Sequence, residues 1–396
     1  MDMRRLQSWW SHRQGLNDPD TSLSSAQVLE RAGWARSVGG VNPYITLFSR
    51  ARTSQEQAEQ DLANQDIHEL PCARGCTYIV PASDYALALN VGQGFSDESA
   101  MKTARNFLGV TDAEVNLLMD EVEKALAGGP LDPKDLKEHV GHLVRNLGEE
   151  GKKRGQTTTL PLALGFLQTQ GRIRRIPSNG RLDQQRYIYA LWKPSPLEGF
   201  NLSREEAFGE LARRFFRWSG PAKADHFRWF SGLGVKATKD AFSLAGLSEL
   251  EEGWMILPED LDEFNSYKMP SEPAYALVTG IDSHMMARRD LPNLIAPEDI
   301  ERKQASEKGT IASVGSLQDM ANHAIFDRGR LIGLWEYDSI AKEIVWTSFT
   351  PPDQALKTAI AETEAFIRDQ LGDARSFSLD SPESRKPKIE ALRSLA

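Results

Sequence analysis

Residues able to do chemistry are sparse in this chain, and most have a plainer role. His139 and His142 lie three apart at the end of a predicted helix and could share a face. No third ligand is near them in sequence, so an exposed pair is the simpler reading. Cys72 and Cys76 are too few for a disulfide framework or a four-ligand zinc site, and read as small buried groups. His226, on a helix among aromatics, reads as a packed core histidine. The chain has no Walker loop, dinucleotide fingerprint or Gly-x-Ser-x-Gly elbow. These residues point to no metal and no cofactor.

The concentrated chemistry is cationic. Residues 145–190 carry nine Lys or Arg against three Asp or Glu, a local net of +6 in a chain of net −9, so the remainder carries −15. Lys152, Lys153 and Arg154 form a basic turn, followed by a threonine run, 157–159, suited to cap a helix. An apolar-periodic helix is predicted over Leu160, Leu162, Ala163, Leu164, Phe166 and Leu167, stopping at Gly171. Arg172 to Ile176 then reads as a strand, Ser178-Asn179-Gly180 as a turn, and Gln184 to Ala190 as the return strand. Helix followed by a basic hairpin is the back half of a winged helix-turn-helix. Lys152, Lys153 and Arg154 are the candidate phosphate contacts. Arg172, Arg174, Arg175 and Arg181 are the candidate cations of the wing, and Ser178 and Asn179 lie at a tip that could probe a minor groove. Arg288 and Arg289 are a further pair. The plainer alternative is a solvated basic face.

Composition bounds the rest. With 396 residues the chain is long enough for several domains. Its hydrophobic share of 40% and charged share of 26% are globular values. No apolar run approaches the roughly 20 residues that span a bilayer, and Met1 to Trp10 does not read as a signal peptide, so no membrane is expected and the location expected is cytoplasmic. The overall negative charge makes any nucleic-acid contact local.

The elements that must position these cations follow in order. Helices are predicted over 23–31, 44–50 and 55–64, a strand over 76–80 and a helix over 85–91, compatible with a first winged unit. Residues 100–126 read as one helix with Thr111 and Glu114 as a capping box. A second helix-turn-helix pattern runs through 202–218, 226–230 and 235–242, with 247–257 as its hairpin. Gly129-Pro130-Leu131 and Gly220-Pro221-Ala222 each follow one helix and open another, a weak internal repeat. From Tyr275 short β-rich runs predict a small antiparallel sheet or barrel. The fold class expected is α+β, with tandem winged helix-turn-helix domains followed by a small antiparallel β-barrel. The boundaries expected are 1–98, 99–195 (with the basic wing), 196–268, 269–375 (barrel and closing helix) and a flexible tail, 376–396.

Three motifs taken together resemble a known family. They are Arg74-Gly-Cys-Thr-Tyr-Ile-Val-Pro-Ala-Ser-Asp84, Gly220-Pro-Ala with Trp229-Phe-Ser-Gly-Leu233, and Asp327-Arg-Gly-Arg-Leu-Ile-Gly-Leu-Trp335. The combination is similar to the bacterial winged-helix DNA glycosylases typified by AlkZ and YcaQ, over roughly residues 5–375. The resemblance implies a C-shaped, DNA-sized channel of winged helices and a β-barrel, double-stranded DNA as partner, and excision of alkylated or crosslinked bases without a metal. The chain departs from that family at one place. The family's Gln-x-Gln or Gln-x-Asp motif should fall within 36–42, where this sequence reads Arg-Ser-Val-Gly-Gly-Val-Asn. Asn42 is the one amide in reach; it could orient a water but not serve as its base, and beside Pro43 it also reads as a turn former or helix cap. Asp84 is a candidate carboxylate facing the channel, or a cap. Two functions remain open: a monofunctional glycosylase, and a non-catalytic winged-helix regulator or lesion-binding protein. A monomer is expected; a regulator usually needs a dimer and two half-sites, so a strictly monomeric protein would count against that second reading.

Overall fold

The computed structural model describes residues 1–305 and 311–395. The same order of elements occurs three times. In the first pass a helix, Ser25–Ala32, leads to a short strand, Ala35–Arg36, then to helices Asn42–Ala51 and Gln55–Ala63, and to an antiparallel pair, Ile67–Pro71 with Thr77–Pro81. The short strand pairs with the second strand of that pair, Ala35 opposite Ile79. In the second pass the helix is Asp112–Leu126, the short element is Leu131 bridged to Tyr189, and helices Pro133–Val140 and Leu160–Thr169 precede Ile173–Pro177 paired with Tyr187–Leu191. In the third, Arg204–Ser219 leads to Ala222 bridged to Met255, helices Ala224–Ser231 and Val235–Ala245, and a two-residue hairpin, Ser248–Glu249 with Met255–Ile256.

Local chemistry explains most boundaries and corrects some expectations. Ser24 with Gln27 and Ser203 with Glu206 form complete capping boxes. The predicted long helix over 100–126 is two helices, Ser96–Leu108 and Asp112–Leu126, because Gly109 takes a left-handed φ of 61° that ends the first. Thr111 caps the second helix through the Glu114 amide, but the Glu114 carboxylate turns away to Arg145 instead of closing the box. Thr159 likewise precedes its helix without capping it, since its hydroxyl accepts the Arg145 amide at 3.0 Å.

After the third pass the chain forms a four-stranded antiparallel sheet in the order Glu343–Ser348, Arg330–Asp338, His323–Asp327, Tyr275–Val278. Among the described residues this sheet is open, which corrects the expected barrel: its edge strands, 343–348 and 275–278, do not pair with each other. The expected flexible tail is corrected as well. Pro382–Leu395 is a helix that buries Ile389 and Leu392, three apart on one face, while Lys388 bonds the buried Glu336 at 3.0 Å. No helix among the described residues is long and apolar enough to cross a membrane.

One buried ion pair joins the first pass to the sheet. Arg50, on helix Asn42–Ala51, donates to both oxygens of Asp282 at 3.0 and 2.8 Å, and Thr46 Oγ1 donates to the same carboxylate at 3.0 Å. Both partners are almost fully enclosed, with side chains 2% and 0% exposed. Burial pushes the Asp282 carboxyl upward, but the Arg50 charge and hydrogen bonds outweigh it and hold the group below the usual carboxylate range. Truncating one partner strands the other charge. Arg50→Met is therefore expected to lower unfolding free energy by about 3–5 kcal/mol, read from urea titrations, and Arg50→Met with Asp282→Leu to recover part of it.

Two buried histidines set a pH dependence. Burial, helped by Arg174 and Arg175, lowers His68 to about 3. Burial, helped by Arg288, lowers His284 to about 3. Both are neutral when folded, while the unfolded chain binds protons on them near pH 6.5. Stability is complete above that pH and declines as pH falls toward 3, by up to about 1.4 kcal/mol per pH unit for each histidine. The urea midpoint should drop between pH 7 and pH 5, and His68→Leu with His284→Leu should flatten the decline.

Candidate nucleic-acid interface

The basic stretch folds into the short helix Gly148–Lys153, the buried helix Leu160–Thr169 and the hairpin 173–191. Helix 160–169 carries no cation and packs most of its surface inward, so it presents no charged face to a groove. Most of the nine cations around it meet carboxylates. Lys152 bonds Glu149 at 2.6 Å, and Arg154 bonds Glu150 at 2.8 Å while lying 3.9 Å over the Phe107 ring. Arg145 bonds Glu114, Arg172 bonds Glu123 at 2.9 Å, and Arg181 bonds Asp183 at 2.8 Å. Arg175 reaches across to the first sheet, donating to Glu69 at 3.0 Å and lying 4.5 Å over Tyr187. Glu69 is 4% exposed and also accepts from Ser37 Oγ at 3.0 Å.

Among the described residues Lys153, Arg174 and Arg186 are the cations of this stretch that meet no carboxylate. Arg174 is half-buried, and burial lowers its pKa. Ser178 and Asn179 stand exposed at the hairpin tip, where Asn179 Oδ1 accepts the Arg181 amide at 3.2 Å. Local net charge therefore overstates the free positive surface. Arg186 was missed in the sequence because it stands just before the return strand, beyond the obvious arginine run. Arg288 is buried over the Trp10 ring, and Arg289 bonds Asp319 at 2.6 Å.

The two candidate catalytic groups are both inside. Asn42 is the first residue of its helix, behind the cap residue Val41, and is 1% exposed. Its Nδ2 donates to the Arg36 carbonyl at 2.8 Å and its Oδ1 accepts from Thr279 Oγ1, so both ends of the amide are occupied. Asp84 is 1% exposed and makes no side-chain cap. One of its oxygens accepts from Trp34 Nε1 at 2.9 Å and the other from Arg214 Nε at 3.0 Å. The loop before Asn42, 37–41, is covered by the segment that leads into the terminal helix: Val41 donates to the Arg375 carbonyl at 2.9 Å and Ser378 to the Val38 carbonyl at 3.0 Å. Asn42 and Asp84 thus lie on different supports rather than in one constellation.

The other candidates have ordinary surroundings. His139 and His142 are exposed, and His139 bonds its own helix at the Asp135 carbonyl. His226 is buried, with Asp290 3.1 Å from one ring nitrogen. Cys72 is buried and its thiol pKa is raised by burial. No cluster of three or more His, Cys, Asp or Glu among the described residues is placed to hold a metal.

The architecture is three repeated helical units, each closed by a small antiparallel pair, followed by an open four-stranded sheet. A sequence model of AlkZ-like DNA glycosylases matches residues 37–367. The chain belongs to the AlkZ-like DNA glycosylase family. Among solved structures it is similar in fold to the Streptomyces sahachiroi DNA glycosylase AlkZ, with a TM-score of 0.67 and 19% identity over 94% of this chain and 97% of that one. Comparison with curated protein sequences finds no match.

Charge reversal at the unpaired hairpin positions tests the interface. Arg174→Glu with Arg186→Glu should weaken duplex binding and reduce the slope of log affinity against log salt by about 2, roughly one for each lost phosphate contact. An unchanged slope at low salt would place the DNA elsewhere.

Proposed function

We propose that this protein binds double-stranded DNA in the cytoplasm as a monomer and releases alkylated or crosslinked bases by monofunctional N-glycosyl hydrolysis. Membership of the family over 37–367 is the observation that carries this reading. In this reading each of the three repeated passes is a winged helix, which the strand pairing supports: the short element of each pass joins the second strand of its own hairpin. The winged units and the sheet would line a C-shaped channel, with units near 1–98, 99–195 and 196–268, the sheet and closing helix to 375, and the terminal helix behind them. Lys153, Arg174 and Arg186 contact phosphates, and Ser178 and Asn179 approach the groove. Asn42 and Asp84 act as supports, since protein groups occupy their polar atoms. The hydrolysis asks little of a base because a cationic N-alkylated purine is already a good leaving group, and positioning with electrostatics supplies most of the rest.

A second reading is a lesion-binding protein that keeps the scaffold without the chemistry. It is favoured by the enclosure of both candidate catalytic groups and by a 36–42 segment free of glutamine and acid. Single-turnover base release from a duplex carrying one N7-methylguanine, measured beside a salt titration of binding, separates the two. Release with salt-sensitive binding is the expected result. Tight, salt-sensitive binding with no release would favour the second reading, and absence of salt-sensitive binding would sink both.

A further inference from the structure

The first sheet carries two arginines whose charge no carboxylate compensates among the described residues. Arg36 ends the short edge strand, opposite Tyr78, and Arg74 stands in the turn between strands Ile67–Pro71 and Thr77–Pro81. Both are half-buried. Arg36 donates once, to the Thr77 carbonyl at 3.0 Å, and lies 5.4 Å over the Tyr78 ring; Arg74 reaches only the Cys76 sulfur, at 3.7 Å. Burial holds the Tyr78 hydroxyl well above its usual range, and both guanidiniums are close enough to pull it the other way. The two cations are therefore neighbours around one residue.

Arg74 is held in place before any ligand arrives. Its guanidinium lies 3.6 Å from the ring centre of Trp229, on helix Ala224–Ser231 of the third pass. Arg289 lies 3.9 Å from the same centre, and at these distances two guanidiniums cannot share a face, so the indole is sandwiched between them. Trp229 Nε1 donates to the Met286 carbonyl at 3.1 Å and Arg289 bonds Asp319 at 2.6 Å, which fixes the stack from behind. Stacking engages the flat face of the Arg74 guanidinium and leaves its in-plane N–H groups free for an acceptor. Arg74 takes a left-handed φ of 58°, a conformation non-glycine residues seldom adopt. Gly232 makes room for it, since a Cβ there would come within 3.1 Å of Arg74 Cγ. A side chain ordered in advance binds at less entropic cost. Thr77, whose carbonyl Arg36 bonds, also faces the basic hairpin, with Arg175 3.5 Å from its hydroxyl. The row of guanidiniums thus runs from the hairpin of the second pass, across the first sheet, to the third pass.

We propose that Arg36 and Arg74 form a second phosphate-binding surface, separate from the hairpin cations, that grips the backbone of one DNA strand between the second unit and the third. The N–H fork of a stacked arginine matches a phosphodiester in two directions at once, and two cations side by side match the repeating charge of a single strand. Contacts of this kind fix the register and orientation of the duplex without reading its sequence. A nucleic-acid strand suits the surface better than an acidic peptide, because the row begins where the hairpin is tied to the first sheet and ends on a helix of another unit, a path along which a regular polyanion can lie. The choice of DNA as that polyanion rests on the proposed function.

Duplex affinity of the full chain, measured against salt, tests this surface. Four proteins are compared: wild type, Arg36→Gln with Arg74→Gln, the hairpin variant Arg174→Glu with Arg186→Glu, and all four substitutions together, with urea midpoints checking each fold. The glutamine pair should reduce the slope of log affinity against log salt by about 2, so that over a fourfold rise in salt its affinity falls roughly tenfold less than that of wild type. The four substitutions together should reduce the slope by about 4, because the two surfaces hold different phosphates. Arg36→Gln alone should reduce it by about 1. That variant gives up one hydrogen bond to a backbone carbonyl, so a folding defect in Arg74→Gln leaves the test standing. A wild-type slope in the folded glutamine variants overturns the proposal, and so does a combined variant no flatter than the hairpin variant. In either case salt-sensitive duplex binding by wild type leaves the proposed function intact. Absence of such binding by wild type would sink that function and this surface with it.

Discussion

The buried pair between Arg50 and Asp282 is the constraint on which much of the structure rests. It joins a helix near the start of the chain to the segment that leaves the first strand of the open sheet, more than two hundred residues later. Thr46 adds a third bond to the same carboxylate, and Asn42 bonds Thr279 one turn earlier. Three side chains on one face of one helix thus hold the first unit to the sheet. A buried ion pair is seldom the most stabilising choice, but it is strict about geometry because neither charge tolerates another arrangement.

Charge in this protein is settled across space rather than along the chain. Glu69, Glu114 and Glu123 lie far from 145–190 in sequence, yet each neutralises one of its arginines. The hairpin is consequently bound into the body of the protein: Arg175 is a strut to the first sheet as much as a surface cation. The positive surface left over is small, which suits a protein of net negative charge that must touch a polyanion at a defined place.

Asp84 illustrates how the candidate site is organised. Its carboxylate fixes Trp34 on one side and Arg214 on the other, linking the first unit to helix Arg204–Ser219. Two motifs that carry the family likeness meet in space: Arg74, from the first of them, lies 3.6 Å from the ring centre of Trp229, from the second.

The sequence by itself determined the alternation of helices and short strands, several caps and turns, the basic hairpin and the family. These depend on neighbours within a few residues, or on motifs whose spacing survives in one dimension. The helix end at Gly171 and the Ser178-Asn179-Gly180 tip are of this kind, whereas the helix end at Gly109 and the capping boxes at Ser24 and Ser203 emerged only with the structure. Tertiary structure alone decided which cations remain unpaired, that Asn42 and Asp84 point inward, that the sheet stays open, and that the last residues form a packed helix. It also assembled the aromatic cluster of Trp34, Tyr78, Trp218 and Phe230. The physical reason is common to all of these. Whether a charge is free, a side chain buried or an edge covered depends on partners distant in sequence, and only packing brings those partners together.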